Sequence, residues 1–575
     1  MSSTMGSART GAARVFARVE SLRPRREDWT KGRVGRDLLA GVMVALVALP
    51  LALGFGVSSG VGAGAGIVTA IVAGAVAAVF GGSHLQVSGP TGAMTVVLIP
   101  IVAAHGTDGV LVVGLLAGVF LLVLSVTGAG RAIRFVPVSV VEGFTAGIAI
   151  IIALQQLPAV LGVEVHAEKI LSLAGSAASA WAADPGWAAP AAGLGVALGI
   201  LTVARLRPGL PAALLLVGAV TAANAWLDVG LSTIGHIPSG LPAPRLPDVP
   251  WGDLDTLMLA AVAVTALGAL ESLLSATVAD AMSVGQRHDP DRELLGQGLA
   301  NIASPLFGGI PATAAIARTA VNVRAGATSR LAALAHAVLL LGVVLLAARW
   351  VGEIPLAALA GVLLATAVQM IRVSSLAALI RSTRGDAATM ILTAAATVVL
   401  DLVLAVIIGL VVAGFFALQQ TARTARLEQT PLDDLDHRDE ERDLLDHHIV
   451  AYRIDGPLFF AAAHDFLLEL AEVSRVRVVI LRMSHVTHID ATGAHVLADT
   501  IGRLERRGIT VLLSGVHPDH ARVLTELGVY ERLAHERHLF ATTPEAITHA
   551  RLHAARVDHT ADGSAVDSRG NAAAP

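Results

Sequence analysis

The chain has 575 residues, of which 54% are hydrophobic and only 15% are charged, and its mean hydropathy is +0.69. In a soluble protein about a quarter of the residues are charged, so the composition excludes that class and indicates a polytopic membrane protein. The formal net charge of -4 gives no indication of a nucleic-acid partner, and none is expected. Because cysteine is absent, disulfides and thiolate metal sites are excluded.

The chain begins with a polar, arginine-rich segment, residues 1–35, that lacks the apolar core and cleavage site of a secretory signal. We expect this segment to be cytoplasmic. Residues 36–421 alternate apolar runs with short polar loops and are predicted to form the transmembrane domain, although several runs are shorter than the ~20 residues of a full crossing. The predicted spans, about fourteen in all, are 36–58, 62–80, 88–103, 108–129, 137–160, 187–206, 211–227, 257–282, 293–307, 312–324, 330–350, 355–371, 387–401 and 402–421.

The distribution of arginine predicts the orientation, because cytoplasmic loops of membrane proteins are enriched in Lys and Arg. With a cytoplasmic N-terminus, the loops expected outside carry little charge, at Glu164, His166, Glu168, Lys169 and Asp401. An even number of spans places both termini in the cytoplasm and predicts a multi-pass protein of the cell (plasma) membrane. The basic residues expected on the inside are Arg131, Arg134, Arg205, Arg207, Arg287, Arg292, Arg324, Arg330, Arg372, Arg381, Arg384, Arg423 and Arg426.

Two glycine-rich stretches interrupt the apolar sequence, FGGSHLQVSGPTGAM at 80–94 and FGGIPATAAIARTAVN at 307–322. Non-helical backbone is tolerated in a bilayer only where it lines a cavity or is buried in protein, so each stretch predicts a broken helix whose amino end attracts anions. In the first, Ser88 is expected to cap the helix and Pro90 to lie in its first turn. Two such helices in corresponding halves predict a midplane site in an inverted-repeat transporter. The alternative is that both stretches are packing devices between helices.

Two ionisable residues lie deep in predicted spans, where charge is costly and a functional role is the default hypothesis. Arg318 would strengthen the anion-attracting potential of its half-helix; alternatively, it would snorkel to the cytoplasmic face. Glu271, with Ser275 one turn along, is a candidate site for a coupling ion. The alternative for Glu271 is a structural hydrogen bond or a salt bridge to Arg318. Asp280 and Glu142 are expected near the membrane boundary.

The chain also resembles a known family. The motifs ALPLALGFGVSSG, GGSHLQVSGPTGAM, ALESLLSATVADAM and QGLANIASPLFGGIPATAAIARTAVN together resemble the SulP anion transporters, bacterial relatives of the SLC26 family, from about residue 30 to 550. The resemblance implies a polytopic α-helical membrane protein with a seven-plus-seven inverted repeat, divided into core and gate domains, a cytoplasmic α/β STAS domain and a homodimer. It also implies an anion site between the facing amino ends of the third and tenth helices. Neither a cofactor nor enzymatic activity is expected.

Matched position by position, the resemblance assigns roles at the site. Phe55 matches an aromatic residue that walls the site, and Leu51 stands where many relatives have glutamine, which removes one polar ligand. Glu271 and Ser275 match the coupling position, where a proton or a sodium ion would act. Since Ile316 replaces a small polar group that sodium would need, a proton is favoured. The implied substrate contacts are Phe55, Ser88, Gly89, Pro90, Thr91, Gly92, Ala315, Ile316, Ala317 and Arg318.

The sequence changes character after the last span. Residues 422–447 are highly charged and predict a linker. Residues 448–555 alternate β-rich runs with amphipathic helical ones and predict a small α/β domain, and residues 556–575 are predicted to be disordered.

In the soluble domain, residues 477–515 read as strand, loop, helix and strand, and they resemble the STAS fold shared with anti-sigma-factor antagonists. In that fold a serine after an aspartate is a phosphorylation switch, whereas here Asp490 is followed by alanine. Thr492, one position later, is the regulatory candidate, and its expected role is to cap the helix. The nearby His485, His488 and His495 have no spacing that favours a metal, and no metal site is predicted.

The leading hypothesis is therefore a secondary active transporter of a small inorganic oxyanion, surrounded by membrane lipid, coupled to protons and working by elevator-like alternating access. Sulfate is the first substrate candidate, followed by bicarbonate and then a dicarboxylate, and sodium is the alternative coupling ion. Two other classes stay open, an uncoupled anion channel or exchanger and a membrane-tethered sensor that acts through its STAS domain.

Overall fold

The structure is a computed structural model that describes residues 34–131, 136–165, 167, 169–207, 210–283, 287–400, 402–424, 426–428, 448–459 and 476–553. Arg134, His166, Glu168 and Asp401 lie outside the described residues, as do nearly all of the N-terminal segment and linker and the whole predicted tail. The chain divides into two units, one ending at Ala413 and one beginning at Gly414, which are described separately.

The membrane unit consists of helices and two very short strands. Its first half contains α1 (Val34–Ser58), α2 (Ala63–Phe80), β1 (Ser88–Gly89), α3 (Gly92–Thr127), α4 (Val138–Gln155), α5 (Leu157–Leu161), α6 (Ile170–Ala183), α7 (Ala188–Leu206) and α8 (Ala212–Leu227). Its second half contains α9 (Leu254–Met282), α10 (Pro290–Leu306), β2 (Thr313–Ala314), α11 (Ile316–Arg324), α12 (Leu331–Gly352), α13 (Leu356–Met370), α14 (Val373–Ser382), α15 (Arg384–Val399) and α16 (Leu402–Thr424).

The helices follow the predicted spans closely. The third and fourth spans are the two halves of α3, which non-helical backbone divides at Gly106. In the part of the chain that the structure describes, nine helices are long and apolar enough to cross a membrane, and several others, such as α8 and α11, are shorter. The short helices α6 and α14 occupy stretches where the sequence predicted loops, and the predicted span 137–160 contains α4 and most of α5.

Contacts group the helices into two bundles. In the first, α10 packs against α2 and α3, α12 packs against α1 and α2, and α9 packs against α3 and α11. In the second, α4 packs against α13 and α15, and α7 packs against α8 and α13. We call the first bundle (α1–α3 and α9–α12) the core and the second (α4–α8 and α13–α15) the gate. Both interrupted segments belong to the core.

Both broken helices begin later than the sequence predicted. α3 begins at Gly92 and is capped by Thr91, whose hydroxyl accepts a hydrogen bond from the Met94 N–H at 3.4 Å. The expectation that Ser88 caps this helix is wrong because Ser88 lies in β1, and Pro90 precedes the helix rather than lying in its first turn. α11 likewise begins only after β2.

Glu142, near the beginning of α4, is buried against protein. Its side chain accepts a hydrogen bond from the Ser375 hydroxyl at 3.0 Å and pairs with Arg372 Nη1 at 3.5 Å. The carboxylate therefore tethers α4 to the beginning of α14, and this pairing makes its burial tolerable. Two of the arginines expected in cytoplasmic loops, Arg292 and Arg330, are also buried.

The soluble unit is an α/β domain. It contains β3 (Arg426–Glu428), β4 (Ile449–Leu458), β5 (Val478–Arg482), β6 (Val486–Ile489), α17 (Ala491–Arg506), β7 (Thr510–Ser514), α18 (Pro518–Glu526), β8 (Leu539–Phe540) and α19 (residues 543–553). The strand order is β3-β4-β5-β7-β8, with β6 pairing with β4. β3 pairs antiparallel with β4, and the pairs from β4 to β8 along this order are parallel.

Alternating residues of the central strand β5 face opposite sides of this sheet, as a strand requires. Val479 and Leu481 contribute to a core that includes α17, whereas Val478 and Ile480 contribute to a core that includes α19. Each face of the sheet is therefore covered by a helix.

The cap of α17 differs from the predicted one. The Asp490 carboxylate accepts a hydrogen bond from the Gly493 N–H at 2.7 Å and is the N-cap. The expectation that Thr492 caps this helix is wrong because the helix begins at Ala491 and Thr492 already lies in its first turn. Thr492 is exposed, and its regulatory role stays a prediction.

We expect Asp37→Asn to destabilise the membrane unit. The buried carboxylate of Asp37 accepts hydrogen bonds from the Thr328 N–H at 2.6 Å and the Ser329 hydroxyl at 2.6 Å, which fixes the chain before α12 against α1. An amide leaves a buried group unpaired, at a cost of roughly 1–3 kcal/mol. Thermal unfolding of the purified protein should begin at lower temperature. Asp386→Asn, beside the exposed cap of α15, is the control. Equal unfolding temperatures for the two variants would contradict the stabilising role of Asp37.

Candidate anion-binding site

The two interrupted segments meet directly. β1 pairs antiparallel with β2, with Ser88 opposite Ala314 and Gly89 opposite Thr313, and the Ala315 N–H donates to the carbonyl of Val87 at 3.0 Å. α3 and α11 each begin within three residues of this pair. The amino ends of both helices, which carry partial positive charge, therefore lie beside one shared structural element.

Polar side chains of α10 hold both segments in place. The Gln297 amide donates to Ser88 Oγ at 2.6 Å and to Glu293 Oε1 at 2.9 Å. Asn301 forms two hydrogen bonds with the backbone of Ala312, at 2.8 and 2.9 Å. The sequence analysis missed these residues, although their spacing of four positions along one helix face is a recognisable signal.

Glu271 on α9 joins the two segments at their centre. Its Oε2 accepts hydrogen bonds from the hydroxyls of Thr91, at 2.8 Å, and Thr313, at 2.6 Å. The two hydroxyl oxygens are 3.2 Å apart, and Glu271 is partly exposed. Glu271 therefore forms side-chain hydrogen bonds, which was one of the alternatives considered for this residue. Thr313 was missed as a site residue, although it stands in the proline- and threonine-containing part of the second motif.

Ser275 is directed away from Glu271. Its hydroxyl donates to Thr319 Oγ1 at 3.0 Å, and the same Thr319 oxygen accepts from the Val87 N–H at 3.1 Å. Ser275 therefore connects α9 to α11 and to the backbone before β1. The structure does not join the side chains of Glu271 and Ser275, although the sequence places them one turn apart.

Arg318 on α11 is buried, with 1% of its surface exposed. Its Nη2 donates to the carbonyl of Pro90, so the guanidinium reaches the first interrupted segment rather than snorkelling to the membrane surface. Nε and Nη1 have no hydrogen-bond partner among the described residues, and no ion pair with Glu271 forms in this part of the chain. A buried cation with two unpaired nitrogens is rare and marks a place for an acceptor.

Phe55 and Ile152 pack over the amino end of α3. A methyl group added to Gly92 would lie 3.1 Å from Phe55 Cε1 and 2.2 Å from Ile152 Cδ1. Phe55 belongs to the core and Ile152, which the sequence analysis missed, belongs to the gate, so the predicted site lies where the two bundles touch. Leu51, at the position of the missing glutamine, is buried.

The remaining predicted contacts differ in exposure. Ser88, Gly89, Pro90, Thr91 and Gly92 are buried. Ala315 and Ile316 are partly exposed and Ala317 is exposed, so the beginning of α11 borders open space.

A separate cavity of about 280 Å³ contains none of the predicted site residues. It is lined by parts of α2, by the chain near Thr107 and by the segment 237–245. Its charged residue, Arg245, pairs with Asp108 at 3.3 Å.

We expect Gly89→Ala to displace Arg318. A methyl group at this position would lie 2.4 Å from Arg318 Nη1, which is closer than any real contact. Displacement should cost one charge-assisted hydrogen bond between the guanidinium and a bound anion, which is worth roughly 1.5–3 kcal/mol. With sulfate as the test anion, the Kd measured by isothermal titration calorimetry should therefore rise about tenfold to a hundredfold. Gly342→Ala on α12 meets only open space and serves as the control. An unchanged Kd for Gly89→Ala would show that the guanidinium position is unimportant for the anion.

Comparison with protein families matches both parts of the chain. A model of the sulfate permease family matches residues 35–393, and a model of the STAS domain matches residues 445–546. Among known proteins, the chain is 34% identical over 526 residues to YvdB of Bacillus subtilis, a protein assigned to sulfate transport by name, with 88% of this chain and 96% of YvdB covered. It is 30% identical over 539 residues to the bicarbonate transporter BicA of a Synechocystis species, with 90% and 94% covered.

Solved structures support the same fold. Murine Slc26a9, an anion transporter in the inward-facing state, superposes with a TM-score of 0.81 at 18% identity over 93% of this chain and 95% of that one. The transmembrane domain of a cyanobacterial BicA superposes with a TM-score of 0.59 at 31% identity over 67% and 98% of the two chains. Since the family model covers more than half of the sequence, this chain belongs to the sulfate permease family of anion transporters, and it is not an enzyme.

Proposed function

We propose that the chain is a secondary active transporter of a small inorganic oxyanion, with sulfate favoured, that works by elevator-like alternating access coupled to protons. The observation that carries this proposal is the buried guanidinium of Arg318, which has unpaired N–H groups beside the shared pair of interrupted segments. Oxyanions offer several acceptor oxygens and match the donors of a guanidinium and of helix amino ends.

The local charge favours a divalent anion when Glu271 is protonated. Each helix amino end contributes roughly half a positive charge and Arg318 contributes one, so the sum is about +2. An ionised Glu271, held by Thr91 and Thr313, lowers this sum to about +1. Protonation of Glu271 would therefore restore a match to the two negative charges of sulfate. This relation supports uptake of a proton together with the anion.

The hydrogen bonds around Glu271 support a proton over sodium as the coupling ion. A sodium ion held between Glu271 and Ser275 would need the oxygens of both residues. The Ser275 hydroxyl donates instead to Thr319, and the Glu271 Oε2 already accepts from two hydroxyls.

Bicarbonate is the second candidate substrate. The similarity to BicA covers 90% of this chain. The family resemblance also implies that Leu51 stands in place of a polar ligand. A singly charged anion would suit the site with Glu271 ionised, at a local charge of about +1. A dicarboxylate is the third candidate.

The two bundles support an elevator-like mechanism. Both interrupted segments, Glu271 and Arg318 belong to the core, whereas Ile152 of the gate covers the amino end of α3. Movement of the core against the gate would carry the bound anion between the two sides. The homodimer, the cell-membrane location and the cytoplasmic placement of both termini stay predictions.

Arg318→Gln should remove most anion uptake, whereas Arg318→Lys should keep part of it because the charge is retained. Uptake of radiolabelled sulfate into proteoliposomes, with bicarbonate and fumarate as competitors, measures both the loss and the preferred substrate. Arg349→Gln, at an exposed position of α12, is the matched control. Normal uptake by Arg318→Gln would contradict the proposed role of Arg318 in binding the anion. Absence of uptake in the wild type would favour a membrane-tethered sensor that acts through its STAS domain.

Glu271→Gln should uncouple sulfate uptake from the proton gradient. In the wild type, sulfate binding should strengthen as the pH falls because protonation of Glu271 removes a negative charge from the site. In the variant, an inward proton gradient should no longer stimulate uptake.

Glu353→Gln, at an exposed position after α12, is the control for coupling. Stimulation of Glu271→Gln by the proton gradient would contradict coupling through this residue. Stimulation of the wild type by sodium alone would favour the sodium alternative, and flux indifferent to both gradients would favour a channel or exchanger.

A further inference from the structure

Three histidines gather at one end of the soluble domain. His538 lies just before β8, and His549 and His553 lie on α19. One ring nitrogen from each lies within 4.8 Å of the others. The ring centres are 5.1–5.5 Å apart. The sequence analysis predicted no metal site and considered only His485, His488 and His495.

The fold explains why these side chains meet. β8 pairs parallel with β7, which places His538 at the sheet edge that α19 covers. Ala546, Ile547 and Ala550 fix α19 on the sheet through their apolar face. His549 and His553 are four residues apart and therefore share a helix face. Both are partly buried.

His538 supplies a second, independent observation. It is only 3% exposed, and its Nδ1 has no hydrogen-bond partner among the described residues. Neutral imidazole is the form in which histidine binds metals.

The simpler interpretation is that the three rings only pack against one another as aromatic groups. Packing alone does not require three ring nitrogens to approach a common point, and it leaves the buried Nδ1 of His538 unpaired. Buried polar atoms without a partner are rare in folded proteins. A cation among the three rings would take one ring nitrogen from each of them.

We propose that His538, His549 and His553 bind one Zn²⁺ ion. Three imidazoles and a water molecule form a common tetrahedral zinc site, with Zn–N distances of about 2.0–2.1 Å. Small side-chain rotations would bring the three nitrogens to this distance. His535, whose ring centre lies 5.9 Å from that of His538, is a candidate for the fourth ligand in place of water. The ion would fasten α19 to the edge of the sheet.

The test uses the full-length chain, purified with a tag that contains no histidine, stripped with a chelator and then dialysed against Zn²⁺. We expect one zinc per chain by elemental analysis. His549→Gln and His553→Gln should each weaken zinc binding at least about tenfold, since even an outer-shell partner of a ligand has an effect of that size. His495→Gln is the control, because His495 is 71% exposed on α17 and outside the cluster. Zinc should also raise the unfolding temperature of the wild type, but not of the two variants.

Absence of bound zinc in the wild type, or equal affinity in the wild type and both variants, would overturn the proposal. Titration of the wild type with Co²⁺ gives a readout that needs no variant. Intense visible absorption indicates a tetrahedral site and supports the proposal, whereas only the weak absorption of octahedral Co²⁺ contradicts it. None of these results depends on whether the membrane unit transports sulfate.

Discussion

Non-helical backbone inside a membrane protein persists only when its peptide groups find partners other than water. The two interrupted segments meet this constraint together, since β1 and β2 pair with each other and side chains of α10 bind the backbone around them. Without this pairing, neither helix could begin in the interior of the core. The same arrangement brings two helix amino ends, Arg318 and Glu271 into one place, so the proposed binding chemistry would follow from how the backbone peptide groups find their partners.

Charge at this site is balanced rather than simply positive. Arg318 is buried with unpaired N–H groups, and Glu271 is held by one threonine from each interrupted segment. In the proposed mechanism, a permanently positive pocket would retain its anion, whereas a neighbouring carboxylate that gains and loses a proton would provide a way to bind and release it. The two residues would then act together, although they make no direct ion pair.

Much of this was predictable from local patterns. Clusters of glycine, proline and threonine mark both interruptions, and Arg318 and Glu271 stand out as charges in apolar surroundings. The pairing of Ser88 with Ala314 was not predictable, because it joins positions far apart in the chain. Side-chain direction was also inaccessible: Ser275 shares a helix face with Glu271, yet it bonds to Thr319, because the packing of α11 decides which acceptor is near. The predicted cap at Ser88 failed for a similar reason, since the pairing of β1 with β2 delays the start of α3.

The polar residues of α10 have a further consequence. One continuous helix bonds to the Ser88 hydroxyl through Gln297 and to the backbone of Ala312 through Asn301. The two halves of the pocket therefore cannot separate without breaking several buried hydrogen bonds. In the proposed elevator mechanism, a solute would therefore meet the same pair of segments from either face of the bilayer. The direction of net flow would then depend on the gradients of the anion and of the proton, and on the voltage across the membrane.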